Sequence, residues 1–134
     1  MRQLYRYLVI DDDSTSNLIC DFTIQRFDKE AERSLFTSPE EALDHIRHQK
    51  LDAGLTVLFL DVNMPTMSGF EFLREFDKFD ENIKNQYRIY MLTSSIEDYS
   101  SQAKKFSMVI GFLSKPMKIT YLEEIRQDLK NCCS

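Results

Sequence analysis

Tryptophan is missing from this chain, and glycine, proline and cysteine occur three times each in 134 residues. So few turn formers exclude a collagen-like or low-complexity polypeptide. The cysteines are Cys20, Cys132 and Cys133, two of them adjacent at the tail and none in CxxC spacing. That pattern speaks against a disulfide framework or a zinc site, and a reducing cytoplasm is the expected compartment. Basic residues are in the minority: Lys and Arg number 17 against 22 Asp and Glu, a net charge of −5. A dedicated nucleic-acid-binding domain shows the opposite balance, so no nucleic acid is expected as a partner. No apolar stretch exceeds four residues, whereas a membrane span needs ~20, so no membrane insertion is expected. Arg2 and Arg6 precede only Tyr7-Leu8-Val9-Ile10 before three aspartates, too short an apolar stretch for a signal peptide.

What is present suits one globular unit. Hydrophobic residues make up 43% and charged residues 29%, and two domains would each fall to about 65 residues, where a single core is marginal. One domain over residues 1–134, with a core of about 5–130, is expected. Apolar runs alternate with amphipathic stretches. Strands are expected at Tyr5 to Ile10, Ala31 to Phe36, Leu55 to Leu60, Tyr87 to Leu92 and Met108 to Leu113. The first, third and fourth are nearly continuous apolar runs, as in parallel strands covered on both faces. Leu18, Ile19, Phe22 and Phe27 mark the apolar face of a first helix. Ala42, Leu43 and Ile46 mark a second, opened by Ser38-Pro39-Glu40 with Ser as cap and Pro in the first turn. Phe70, Leu73 and Phe76 mark a third. Ile96, Tyr99, Ala103 and Phe106 outline a short polar one around Glu97 to Lys105, and Ile119, Leu122, Ile125 and Leu129 the last. Strict alternation predicts an α/β, (βα)5 doubly wound, five-stranded parallel sheet. A closed eightfold barrel needs about 250 residues.

Ligands of such sheets bind at the carboxyl ends of the strands. Those ends read Asp11-Asp12-Asp13, Asp61, Thr93-Ser94-Ser95 and Ser114-Lys115-Pro116, while the second strand offers only Thr37 and Ser38. If Asp11, Asp12 and Asp61 converge, each like-charged pair ~4 Å apart costs ~4 kcal/mol at an effective dielectric near 20. The cluster must raise a pKa or recruit a cation. An oxygen-only donor set favours a hard divalent ion, Mg2+ in a cytoplasm. Mg2+ and Lys115 together neutralise three carboxylates, and a neutral site accepts a phosphoryl group.

The segment Asp61-Val62-Asn63-Met64-Pro65-Thr66-Met67-Ser68-Gly69 resembles the phosphoacceptor segment of receiver domains, the response-regulator half of two-component signalling. The likeness continues through Asp11-Asp12, Thr93 and Lys115-Pro116, in order and spacing over essentially the whole chain. It implies a flavodoxin-like sheet of order 2-1-3-4-5 and a stand-alone receiver domain. Asp61 is then the nucleophile that takes a phosphoryl group from a histidine kinase or histidine phosphotransfer protein. Asp12 and Asp61 bind Mg2+, Asp11 holds it directly or through water, and the Asn63 backbone carbonyl adds a ligand. Lys115 pairs with Asp61 at rest and with a phosphoryl oxygen afterwards, and Thr93 donates its hydroxyl to another. The Lys115-Pro116 bond is expected to be cis. Phe112, three residues before the lysine, takes the place of the aromatic that turns inward on phosphorylation. Thr93 and Phe112 thus form the switch, read by a downstream protein target. Asn63 and Ser95 stand where the family tunes dephosphorylation, and Ser94 where alanine is frequent. The family is regulatory; no enzyme beyond self-phosphorylation and dephosphorylation is implied.

Parts of the sequence also fit other readings. Leu8-Val9-Ile10-Asp11-Asp12-Asp13-Ser14-Thr15 fits the first motif of haloacid-dehalogenase-type phosphatases, with Asp11 as nucleophile and Asp13 as acid. It leaves Asp61 to Gly69 idle. A phosphorylation-independent binding module would be expected to have lost the acceptor, an acidic ligand or the lysine. Asp13 reads as a helix cap, Met64 and Met67 as packing residues, and His45 and His48 as a solvated helix face rather than a metal pair. Phe106, Met108, Phe112 and Tyr99 suit core or partner surface equally.

Overall fold

A single parallel sheet organises the computed structural model, which describes residues 5–49, 54–94 and 106–132. Its strands are β1 (Tyr5–Ile10), β2 (Glu32–Phe36), β3 (Leu55–Asp61), β4 (Tyr87–Thr93) and β5 (Val109–Ser114). They pair in the order β2-β1-β3-β4-β5, all parallel. The described helices are α1 (Ser14–Phe27), α2 (Pro39–His48), α3 (Gly69–Phe76), a single turn α4 (Glu81–Lys84) and α5 (Ile119–Cys132). This is the doubly wound, flavodoxin-like α/β fold. The helix expected around Glu97 to Lys105 lies outside the described residues, as do Ser95, Tyr99 and Cys133. The turn α4 was not foreseen. It is held by Lys84, whose Nζ donates to the Asp77 carbonyl at 3.0 Å.

Side chains of a strand alternate between faces, and the apolar strands feed two layers. Leu8, Ile10, Leu58, Leu60, Ile89 and Met91 pack under α2 and α3 with Ala42, Ile46, Phe70 and Leu73. Tyr7, Val9, Val57, Phe59, Tyr90 and Leu92 pack under α1 and α5 with Cys20, Ile24, Leu122 and Ile125. Ser38 caps α2 at the Glu41 amide (3.2 Å), and Ser68 caps α3 at the Glu71 amide (3.1 Å). Met64 is buried and Met67 half-buried against the first layer, as packing residues. Phe106, Met108 and Phe112 are half-buried against that layer as well. Pairing slips between Ile89–Val109 and Tyr90–Gly111; Ile110 is skipped and 51% exposed.

The first helix departs from expectation. Leu18, Ile19 and Phe22 point to solvent, 65, 40 and 61% exposed, and α1 instead buries Asn17, Cys20 and Ile24, with Phe27 half-buried. Three polar contacts fix this rotation. Asn17 Nδ2 donates to the Asp11 carbonyl at 2.9 Å, and to the Phe36 carbonyl at 3.4 Å. Arg33 Nε on β2 donates to Asp21 Oδ1 at 2.6 Å. Ile119 is also more exposed than its periodicity suggests, at 37%. Beneath α1 and α5, Arg126 Nη2 meets the buried Asp28 carboxylate at 2.7 Å, its guanidinium lying 4.3 Å from the Phe27 ring centroid.

Candidate functional site

The strand order reverses between β1 and β3, and at such a switch point the carboxyl ends of adjacent strands open a crevice. Asp11 follows β1 directly and Asp61 ends β3. Asp11 is 1% exposed and fully engaged. Its amide donates to the Phe36 carbonyl (3.0 Å), its Oδ1 accepts from the Asp13 amide (2.9 Å) and its Oδ2 from Lys115 Nζ (2.7 Å). The same ammonium lies 3.1 Å from Asp61 Oδ1. Lys115 therefore pairs with both carboxylates and sits closer to Asp11. Asp12, exposed, completes a group in which one carboxylate oxygen each from Asp11, Asp12 and Asp61 lie within 4.8 Å of one another.

The charge balance is visible in Asp61. Burial, then the Asp11 charge, push its carboxyl up from 3.8 to about 6, against the pull of Lys115. Burial pulls the Lys115 pKa down, but its hydrogen bonds to Asp11 and Asp61 and their charges hold it above the usual lysine value. Three carboxylates against one ammonium leave the site two charges short of neutral. The donor set is oxygen only, preassembled on a sheet edge, and carries the surplus a divalent cation would cancel. These residues fit a hard divalent metal. Burial and the nearby Asp11 charge push the Cys20 thiol up to about 12, so it stays a packed neutral thiol.

Backbone contacts hold the cluster. The Lys115 amide donates to the Thr93 carbonyl at 3.0 Å, and the Gly69 amide donates to the Val62 carbonyl at 2.8 Å. A Cβ at position 69 would lie 2.5 Å from the Asp61 carbonyl oxygen, so only glycine permits this approach. Thr66, in the β3–α3 loop, donates its hydroxyl to Glu40 Oε1 at 2.7 Å, tying that loop to α2. Thr93 is buried at the end of β4, and Asn63 is exposed just after Asp61. Phe112 stands on β5 opposite Met91. Ser94 is exposed beside Thr93. The Lys115-Pro116 peptide is cis.

Other expectations resolve here too. Asp13 is the N-cap of α1, Oδ1 accepting from the Thr15 amide (3.1 Å) and Oδ2 from the Ser16 hydroxyl (3.1 Å). Asp13 is thus the cap that the sequence suggests. His48 Nδ1 lies 2.9 Å from the Asp44 carbonyl, and the His45 ring packs 5.1 Å from that of Phe36; the two do not face a common ligand. Two positions escaped the sequence reading: Asn17, which latches Asp11, and the apolar surface of Leu18 and Phe22 alongside. The signal available for the first was its spacing, three and seven residues before Cys20 and Ile24 on one helical stripe.

Comparison with known proteins agrees. The family model for the response regulator receiver domain matches residues 7–127. Among solved structures, a response regulator receiver protein from Dyadobacter fermentans is 26% identical with a TM-score of 0.83, over 90% of this chain and 94% of its own. Chemotaxis protein CheY4 of Vibrio cholerae is 27% identical with a TM-score of 0.73, over 93% and 98%. Response regulator protein TrrA of Thermotoga maritima, in complex with Mg(2+)-BeF, is 25% identical with a TM-score of 0.71, over 93% and 98%. Among curated proteins no sequence relative matches. No helix among the described residues is long and apolar enough to cross a membrane. With an acidic cluster at the switch point of a 2-1-3-4-5 sheet and a family match over nearly its whole length, the chain belongs to the response regulator receiver domains of two-component systems.

Proposed function

We propose that this chain, as a single receiver unit over residues 1–134, takes a phosphoryl group onto Asp61 and passes that state to a downstream protein in the cytoplasm. The observation that carries the reading is the Lys115 ammonium bridging Asp11 Oδ2 (2.7 Å) and Asp61 Oδ1 (3.1 Å) inside a three-carboxylate group. Phosphoryl transfer needs positioning and charge compensation more than covalent assistance. With a pKa of about 6, Asp61 is ionised at neutral pH and presents an oxygen to phosphorus. The donor is the phosphohistidine of a histidine kinase or phosphotransfer protein. As the Asp61 oxygen bonds to phosphorus, the phosphorus–nitrogen bond breaks and the imidazole leaves with the electron pair. Lys115 meets the charge developing on the phosphoryl oxygens.

Asp11, Asp12, Asp61 and the Asn63 backbone carbonyl are the residues to hold Mg2+, and TrrA, a structural relative, was solved with Mg(2+)-BeF. When bound, Mg2+ supplies the positive charge that makes an anionic phosphoryl group acceptable to this cluster. The aspartyl phosphate adds about −1.5 to −2 charge and three acceptor oxygens. Thr93 donates its hydroxyl to one, and Lys115 follows another. The inward movement of Thr93 makes room for Phe112, which biases the surface around β5. Phe112 has no hydroxyl, so packing alone transmits its position.

Exposed apolar residues of α1 support a place for the donor beside the site. Ile19 lines, with Ser16, Cys20, Lys115 and Pro116, a small cavity beside the site, and belongs to the open groove of Leu18 and Phe22. A donor reaching Asp61 over this edge covers that apolar surface.

Intact-mass spectrometry after incubation with acetyl phosphate, with Mg2+ or with EDTA, on wild type and Asp61→Asn, tests the reading. The expected result is one Mg2+-dependent phosphoryl adduct, lost in the variant. An adduct surviving in Asp61→Asn would point to Asp11. No adduct from acetyl phosphate or from a phosphorylated histidine kinase would leave a phosphorylation-independent binding module.

A further inference from the structure

The placement of Asp11 depends on a side chain outside the acidic group. Both of its carboxylate oxygens are engaged, Oδ1 by the Asp13 amide (2.9 Å) and Oδ2 by Lys115 Nζ (2.7 Å). Its amide donates to the Phe36 carbonyl (3.0 Å). Its carbonyl oxygen accepts from Asn17 Nδ2 at 2.9 Å. The same nitrogen lies 3.4 Å from the Phe36 carbonyl oxygen, so one side chain of α1 ties the end of β1 to the end of β2.

Core packing alone does not ask for an amide at this position. Asn17 is 5% exposed, on the buried stripe of α1 with Cys20 and Ile24. Its Oδ1 meets no hydrogen-bond donor among the described residues. A buried acceptor without a donor is costly, and leucine has the same branching without that cost. What the amide supplies is aim. The Asp11 backbone carries its carboxylate into the group with Asp12 and Asp61, where one oxygen from each lies within 4.8 Å of the others. Without Asn17 the buried Asp11 carbonyl loses this donor, and the turn from Asp11 to Asp13 must shift to find another.

We propose that Asn17 is a positioning residue of the metal site: through the Asp11 carbonyl it holds the Asp11 carboxylate where Asp11, Asp12 and Asp61 together take a divalent cation. The inference rests on the reading of these carboxylates as a Mg2+ site. Partners that fix a metal ligand from behind govern affinity as well as orientation.

The test is an NMR titration of the 15N-labelled full chain with Mg2+ alone, for wild type, Asn17→Leu and Ile24→Val. The last loosens the same buried stripe seven residues further along α1. The half-saturating Mg2+ concentration should rise about tenfold in Asn17→Leu, the usual cost of losing a group behind a metal ligand. It should stay at the wild-type value in Ile24→Val. In EDTA the amides of Asp11 and Asp13 should exchange with solvent faster in Asn17→Leu than in Ile24→Val. Labelling of Asn17→Leu by acetyl phosphate should be slow at low Mg2+ and recover as Mg2+ is raised. Should Asn17→Leu not fold, Asn17→Ala takes its place. The proposal is overturned if wild type binds Mg2+ and the Asn17 variant binds it equally well, or if Ile24→Val weakens binding as much. A wild-type chain that takes no Mg2+ overturns the metal-site reading itself, and the proposal with it.

Discussion

Replacing Asp61 with Asn should make the protein more stable at neutral pH, because the native carboxylate is held in an unfavourable place. Burial and the Asp11 charge raise its pKa from 3.8 to about 6, with Lys115 compensating only in part. A folded-state pKa above the unfolded one means that the native protein keeps a proton the unfolded chain has released. Stability attached to this group is therefore complete below pH ~4, declines as pH rises to ~6, and stays lost above that. At about 1.36 kcal/mol per pH unit the full rise corresponds to ~3 kcal/mol. Asn keeps an oxygen that can accept from Lys115, so ~1–3 kcal/mol of stabilisation is expected at pH 7 and little at pH 4. Urea unfolding of wild type and Asp61→Asn from pH 4 to 8, in EDTA, reads the difference. With slopes of ~1–3 kcal/mol/M the midpoints should separate by about 1 M at pH 7. Adding Mg2+ should then raise the wild-type midpoint and move the variant less, since a ligand of the native state stabilises in proportion to its binding. Parallel pH profiles for the two proteins would refute the argument. So would an Asn variant less stable than wild type at pH 7, which would mean that the Lys115 contact outweighs the crowding of carboxylates.

Arg126→Met should destabilise by about 3–5 kcal/mol by stranding a buried carboxylate, since Arg126 meets Asp28 at 2.7 Å with the Asp28 side chain 1% exposed. Adding Asp28→Asn should recover part of that loss, and an unchanged urea midpoint in the single variant would sink the claim. Gly69→Ala should cost about 1–3 kcal/mol as an overpacked contact, because its Cβ would lie 2.5 Å from the Asp61 carbonyl oxygen and 2.6 Å from Met91 Cε. Acetyl phosphate labelling should slow with it; wild-type stability and labelling together would refute the predicted clash. Phe22→Ser removes an exposed ring (61%) and should lower the rate of transfer from a phosphorylated histidine kinase about tenfold or more, as loss of an interface anchor does. Labelling by acetyl phosphate should not change, and equal loss with both donors would refute a docking role.

The sheet was legible because strands buried on both faces need apolar residues at nearly every position, and β1, β3 and β4 carry them. Their bounds follow the apolar runs to within a residue. The gathering of the candidate residues at one edge was legible for a related reason. A parallel sheet fixes where every strand ends, so Asp11, Asp61, Thr93 and Lys115 are assigned to one edge as soon as their strands are found. Irregular backbone left weaker traces. The slip that skips Ile110 replaces no apolar residue with a polar one, and the turn α4 is too short to show a period.

Helix rotation is a different problem, and α1 shows why. The stripe that meets the sheet contains Asn17 and Cys20, neither of which weighs as apolar beside Leu18, Ile19 and Phe22. Counting large apolar side chains therefore chooses the wrong face. What turns the helix is the amide of Asn17 on the Asp11 carbonyl and the Asp13 cap at its start, both belonging to the turn that presents Asp11. One set of bonds thus does two things. It holds the carboxylate that anchors Lys115, and it turns Leu18 and Phe22 outward beside the site. An Asn17→Leu substitution would restore the apolar pattern that the periodicity leads one to expect, but it would release the Asp11 backbone. The misread face and the gathered carboxylates have one cause: α1 is oriented by the edge that carries Asp11 as well as by the core.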